Sequence, residues 1–164
     1  MYPVSLGLHE AKNRINSLIT NGHDAESLVT SVFTVEKTIR RVLRQIIVSA
    51  GFRSIIADKI LKKISGIEAL QNAWEIYEPK GKKLTEILSQ ADWKTIKDAA
   101  NKRNEIIHGQ RVYDLLICKA ETQSVLKALN NIITSFQNTY GYDGWTKAAM
   151  RKTSMLHKDP KVNL

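Results

Sequence analysis

The sequence predicts an all-α protein, an antiparallel bundle of about five helices, and three observations carry that expectation. Apolar residues recur at three- and four-residue steps through most of the chain, and no stretch shows a convincing period-two strand pattern. Glycine and proline fall between these stretches, as short connections require. A chain of 164 residues is also long enough to bury a core without disulfides or metal clips.

The first helix is expected from about Leu8 to Ile19, stopping at Asn21-Gly22, where a left-handed cap is cheap. Asp24 is placed to cap a long second helix that ends at Ala50-Gly51. Its apolar residues Leu28, Val32, Val35, Ile39, Val42 and Ile46 alternate steps of four and three and make one continuous seam, flanked by Arg40, Arg41 and Arg44. A third helical stretch carries Ile56, Ile60, Ile64 and Ile67, with Lys59, Lys62 and Lys63 on other faces. Gly66 kinks or splits it before Leu70, Trp74 and Tyr77. Residues 78–83 read as a loop, because proline, glycine and lysines together oppose helix and burial. A short helix around Leu84–Leu88 follows. Asp92 is expected to cap the next helix, which bears Trp93, Ile96, Ala100, Arg103 and Ile107 at helical spacing and ends at Gly109. After residues 110–114, a last long helix carries Val125, Leu129, Ile132, Phe136 and Tyr140, broken by Gly141 and Gly144. The seams of the second and last helices are the expected core. Residues 1–144 thus form the helical domain, and 145–164 form a basic tail with Lys147, Arg151, Lys152, Lys158 and Lys161 against Asp159.

Composition narrows the function classes. Lys and Arg number 25 against 16 Asp and Glu, a formal net charge of +9 that favours a polyanionic partner through counterion release. A solvated basic surface, or one that meets an acidic protein, is the plainer reading of the same charge. No run approaches the roughly 18 apolar residues of a membrane span, and Met1 to Leu6 lacks the basic flank and apolar core of a signal peptide. A cytoplasmic protein is expected. Cys118 is the only cysteine, so neither an internal disulfide nor a cysteine metal cluster is expected, and a buried structural thiol is its simplest role. His9-Glu10, His23-Asp24 and His157 lack metal-ligand spacing. No glycine-rich phosphate loop occurs. Neither a metal nor a cofactor is expected.

The chemistry concentrates in Asn101-Lys102-Arg103-Asn104-Glu105-Ile106-Ile107-His108-Gly109. Arg103 occupies a slot of the apolar series Trp93-Ile96-Ala100-Ile107 where another aliphatic residue belongs. A guanidinium there is costly unless it is paired or faces a wet cleft, and such a local violation points to function. The alternative is an arginine that snorkels past the core edge to an acidic partner. His108 falls at a helix C-terminus, where free carbonyls favour imidazolium by about 0.3–1 kcal/mol. Histidine is also the side chain that gives or takes a proton near neutral pH. Its structural alternative is a capping histidine bonded to those carbonyls. Along a continuous helix Arg103 and His108 lie about 140° apart, whereas Asn104 and His108 share a face. Arginine and histidine meet either by a bend near the helix end or across a dyad between two chains. Arg151 and His157 share the spacing, but Lys152 follows that arginine and Pro160 lies close by, so this pair is set aside.

Arginine, a polar amide directly after it, and histidine five positions on resemble the signature of the HEPN superfamily. These helical domains are named for higher eukaryotes and prokaryotes nucleotide-binding. Their pattern is Arg, four to six residues, then His, usually with Asn, Asp or His after the arginine. The likeness extends over residues 24–140 as a long early helix, a motif helix and a closing helix. It implies a HEPN-like homodimer and a metal-independent endoribonuclease, in the manner of a toxin or antiphage effector, with RNA as substrate and an antitoxin or regulatory protein as a further partner. Arg103, Asn104 and His108 are then the catalytic residues. His108 exchanges protons with the 2′-hydroxyl or the 5′-oxygen leaving group, and Arg103 holds the phosphate through a bidentate fork. Asn104 orients the histidine or the phosphate. Lys102 and Arg111 flank the motif as candidate substrate-binding residues, or are simply solvated charges. Glu36 is a further candidate: it either reaches Arg103 from the neighbouring helix or makes a plain surface pair with Arg40, one turn away. In HEPN toxins paired with nucleotidyltransferase antitoxins a tyrosine commonly stands two residues after the histidine. Gln110 stands there instead, so silencing through that tyrosine is not implied. The rival reading is a non-catalytic HEPN-like module that binds RNA or a partner protein. A structural subunit whose basic surface meets an acidic antitoxin is a third.

Overall fold

A computed structural model describes residues 7–145, and every regular element among them is helical. The elements are α1 (Leu8–Thr20), α2 (Asp24–Ser49), α3 (Ser54–Lys62), α4 (Ile67–Tyr77), α5 (Leu84–Ile87), α6 (Gln90–Ile107) and α7 (Leu115–Tyr140). Among the described residues there are seven helices, where about five were expected for the bundle. Gly66, at φ +84°, divides the third stretch into α3 and α4, and α5 is a single turn. Asp92 lies within the first turn of α6 rather than at its cap. It is well placed there against the helix dipole.

The described residues fall into two compact units, residues 7–35 with 90–130 and residues 36–89 with 131–145. In the first, Ile15, Leu28, Val32, Trp93, Ile96, Val125 and Leu129 are buried. Polar bonds join the helices around them. Ser27 and Thr122 hydroxyls meet at 2.9 Å between α2 and α7, Lys12 donates to Asn130, and Lys102 pairs with Glu121. Cys118 is buried here as expected, and burial pushes its thiol pKa up, with the charges of Asp24 and Asp114 adding to the shift.

In the second unit Trp74 stacks on Phe136 at 5.3 Å and meets Tyr140 at 5.8 Å, beside buried Leu70, Ile39, Val42 and Ile46. The 78–83 loop is as predicted, but Glu78 is buried in it. One carboxylate oxygen accepts from the N–H groups of Lys80 and Lys82, both at 2.8 Å, and the other accepts from the Tyr140 hydroxyl. Burial, then the Glu78 charge, raises the Tyr140 pKa and keeps the phenol a donor. Residues 141–145 close against α2. Gly144 brings its backbone so near that a Cβ would sit 3.0 Å from the Thr38 carbonyl oxygen. Trp145, which the sequence places at the start of the tail, donates to Thr38 at 3.0 Å beneath Lys37 and Arg41. The rest of the tail lies outside the described residues.

Far more of α2 is buried than one seam. Besides its aliphatic residues, Ser27, Thr30, Ser31 and Thr34 are buried, and their hydroxyls donate to carbonyls three or four residues back. Small hydroxyl residues can bond their own helix and so enter a core without an outside partner. No helix among the described residues is long and apolar enough to cross a membrane.

Candidate functional site

The motif residues lie in the first unit, at the C-terminal end of α6. That helix runs unbroken to Ile107 and stops in a hydrogen-bonded reversal: the Gly109 N–H donates to Ile106 O at 3.1 Å and the Gln110 N–H to Glu105 O at 2.9 Å. This pairing is a Schellman motif with glycine in the left-handed position, φ +63°. His108 is therefore the C-cap residue, and its backbone N–H still donates to Asn104 O at 3.0 Å.

Arg103 sits on the buried face of α6 with Trp93, Ile96, Ala99 and Ala100, and is only 6% exposed. Its guanidinium carbon lies 4.8 Å from the ring centroid of Phe33 on α2. That ring is 39% exposed, so the arginine is covered by a side chain that itself reaches solvent. A desolvated cation over an aromatic face is worth about 2 kcal/mol, which offsets part of the desolvation penalty.

Asn104 and His108 share the opposite, exposed face, as their four-residue spacing predicts. Among the described residues no hydrogen bond or ion pair of the imidazole is found, so the alternative of a carbonyl-capping ring gains no support. Within one chain Asn104 and His108 lie one turn apart on the exposed side of α6, while Arg103 is on its buried side, and α6 shows no break between them.

The flanking candidates are more committed than the sequence suggests. The Lys102 ammonium pairs with Glu121 and links α6 to α7. Arg111 is exposed and lies 5.0 Å over the Tyr113 ring. The Tyr113 hydroxyl donates to the Glu105 carboxylate, and this bond is the main reason that the phenol pKa is raised. Glu105 thus grips the 108–114 connection twice, by carbonyl and by carboxylate. Its helical neighbours gave no sign of this, because the partner is a loop residue eight positions on. Glu36 belongs to the second unit and is buried. The Arg40 guanidinium donates to Leu61 O at 2.7 Å and Ile64 O at 2.9 Å.

A further feature escaped the sequence reading. Ile107, Val112, Leu115, Leu116 and Ile117 are all exposed, Val112 to 96% and Leu116 to 75%, on both sides of His108 in the chain. Val112 lies in the 110–114 connection and residues 115–117 are consecutive, so no helical period assigns them one face. Among the described residues no group of three or more His, Cys, Asp or Glu side chains is placed to hold a metal ion. Compared with known protein families, curated proteins and solved structures, the chain matches none.

Proposed function

We propose that the chain is a HEPN-like helical bundle that cleaves RNA without metal, as a homodimer whose motif helices face each other. The observation that carries this reading is the setting of His108. It is an exposed imidazole at a hydrogen-bonded helix cap, one turn from Asn104, within a sequence segment rich in uncovered aliphatic residues. Large apolar surface beside a polar site is what a second protein covers. A dyad there would supply what one chain lacks, a second imidazole opposite the first and a partner guanidinium. One His108 then takes the 2′-hydroxyl proton while the other protonates the 5′-oxygen. Arg103 holds the phosphate once the Phe33 ring turns aside. The products are a 2′,3′-cyclic phosphate and a 5′-hydroxyl.

The test is incubation of the purified chain with total RNA and tRNA in EDTA, followed by end-group chemistry. Cyclic-phosphate ends support the proposal; 3′-hydroxyl ends or intact RNA oppose it.

The burial of Arg103 against Phe33 favours a second reading, in which the arginine is structural and the chain is a non-catalytic module binding RNA or a protein. Equal RNA affinity in wild type and His108→Ala, with no cleavage product, selects that reading.

A further inference from the structure

In the second unit α3 and α4 enclose an open groove of about 470 Å³, unrelated to the α6 motif. Ile56, Ile60 and Ile64 follow at four-residue intervals along α3 and just past its C-terminal cap and line one side. Ala69, Ala73 and Ile76 line the other, and the two alanines leave room for an intruding side chain. Ile76 is 74% exposed. Apart from Tyr77, each ionisable side chain of the lining is a lysine, Lys59 or Lys63, both on the α3 side. The one acidic residue of α3, Asp58, is held by Arg44 through two hydrogen bonds of 2.7 and 3.3 Å. The α3 wall therefore presents two lysines with no carboxylate among the lining residues.

The groove exists before any occupant arrives. Arg40 clamps the carbonyls of Leu61 and Ile64 at the end of α3, and Gly66 supplies the left-handed turn into α4. A preformed apolar groove loses little conformational freedom on binding.

We propose that this groove docks an amphipathic helix of another protein, with aliphatic residues on one face and glutamates or aspartates along the edge that meets α3. A helix presenting anchors at i, i+4 and i+7 matches a trough of this kind. Charge selects among the other occupants. Residues 146–164 of this chain bring five Lys or Arg against one acidic residue, so they are repelled by Lys59 and Lys63. A second copy placed groove to groove sets the same lysines against each other. Nucleic acid finds isoleucines where it needs polar or aromatic partners.

The test uses the full chain and three labelled synthetic helices of about fifteen residues, roughly four turns. One has a leucine face flanked by glutamates, one the same face flanked by lysines, and one glutamates with alanine in place of leucine. Fluorescence anisotropy is expected to show saturable binding of the first, at least about tenfold tighter than of the other two. Lys59→Glu/Lys63→Glu exchanges exposed residues and is expected to reverse the preference towards the lysine-flanked helix. Ile76→Glu is expected to weaken the first peptide by a similar factor. Circular dichroism melts establish that both variants are folded. The proposal is overturned by no saturable binding up to ~1 mM, by equal binding of the three peptides, or by an unchanged preference in folded Lys59→Glu/Lys63→Glu. It is overturned equally if phosphatidylserine vesicles displace the first peptide, which would make the groove a lipid site.

Discussion

A guanidinium at the position of a core aliphatic has to be compensated, and at Arg103 the Phe33 ring supplies part of that compensation. The expectation that arginine breaks the apolar rule of α6 was legible from spacing alone, because burial of a charge is visible as an interrupted period. The partner was not, since Phe33 is distant in sequence and lies off the regular seam of α2. Glu78 shows the opposite failure. A Pro-Gly-Lys segment reads as exposed, yet this carboxylate is buried because two loop N–H groups and the Tyr140 hydroxyl need an acceptor. Glu78→Ala strands these donors. A lost acceptor for buried groups costs about 1–3 kcal/mol, so urea denaturation is expected to show a loss of about 2 kcal/mol. A change below about 0.5 kcal/mol, the usual range for surface substitutions, would remove Glu78 from the account of the loop.

The helices themselves were readable where a signal is local. α1, α2, α6 and α7 begin and end within a few residues of their expected bounds, since glycine punctuation and apolar steps are properties of the chain itself. The near-complete burial of α2 was not readable, because serine and threonine look polar whether or not their hydroxyls bond the helix behind them. The cap of α6 gives this scale its prediction. Gly109 adopts φ +63° with open space around its absent Cβ, so alanine there meets backbone strain and nothing else. An L residue in that region costs roughly 1–2 kcal/mol, and asparagine costs less. Thermal melts of Gly109→Ala and Gly109→Asn should rank in that order of damage. Equal stability of Gly109→Ala and wild type would mean that the cap does not hold His108 in place.

For the whole molecule, the exposed run beside the motif is the feature that a single chain leaves unexplained. Ile107, Val112 and Leu115 to Ile117 look like interior residues by composition, and only burial shows that they face outwards. If a second copy covers them, Val112→Glu/Leu116→Glu places carboxylates in that contact and spares the monomer, as surface changes usually stay within about 0.5 kcal/mol. Sedimentation is expected to show a dimer for wild type and a monomer for this variant, with cleavage lost alongside. A wild-type monomer that cleaves RNA would break the link between patch and site. That link, and the catalytic role of the motif, rest finally on His108. Its side chain is exposed, so His108→Ala separates chemistry from stability more cleanly than Arg103→Ala, which also removes a buried stacking partner.

The direct measurement is therefore RNA cleavage in EDTA by wild type and His108→Ala at matched melting temperature. Loss of general acid–base catalysis predicts at least a ~100-fold slower release of cyclic-phosphate ends. Cleavage at the wild-type rate by folded His108→Ala would contradict it.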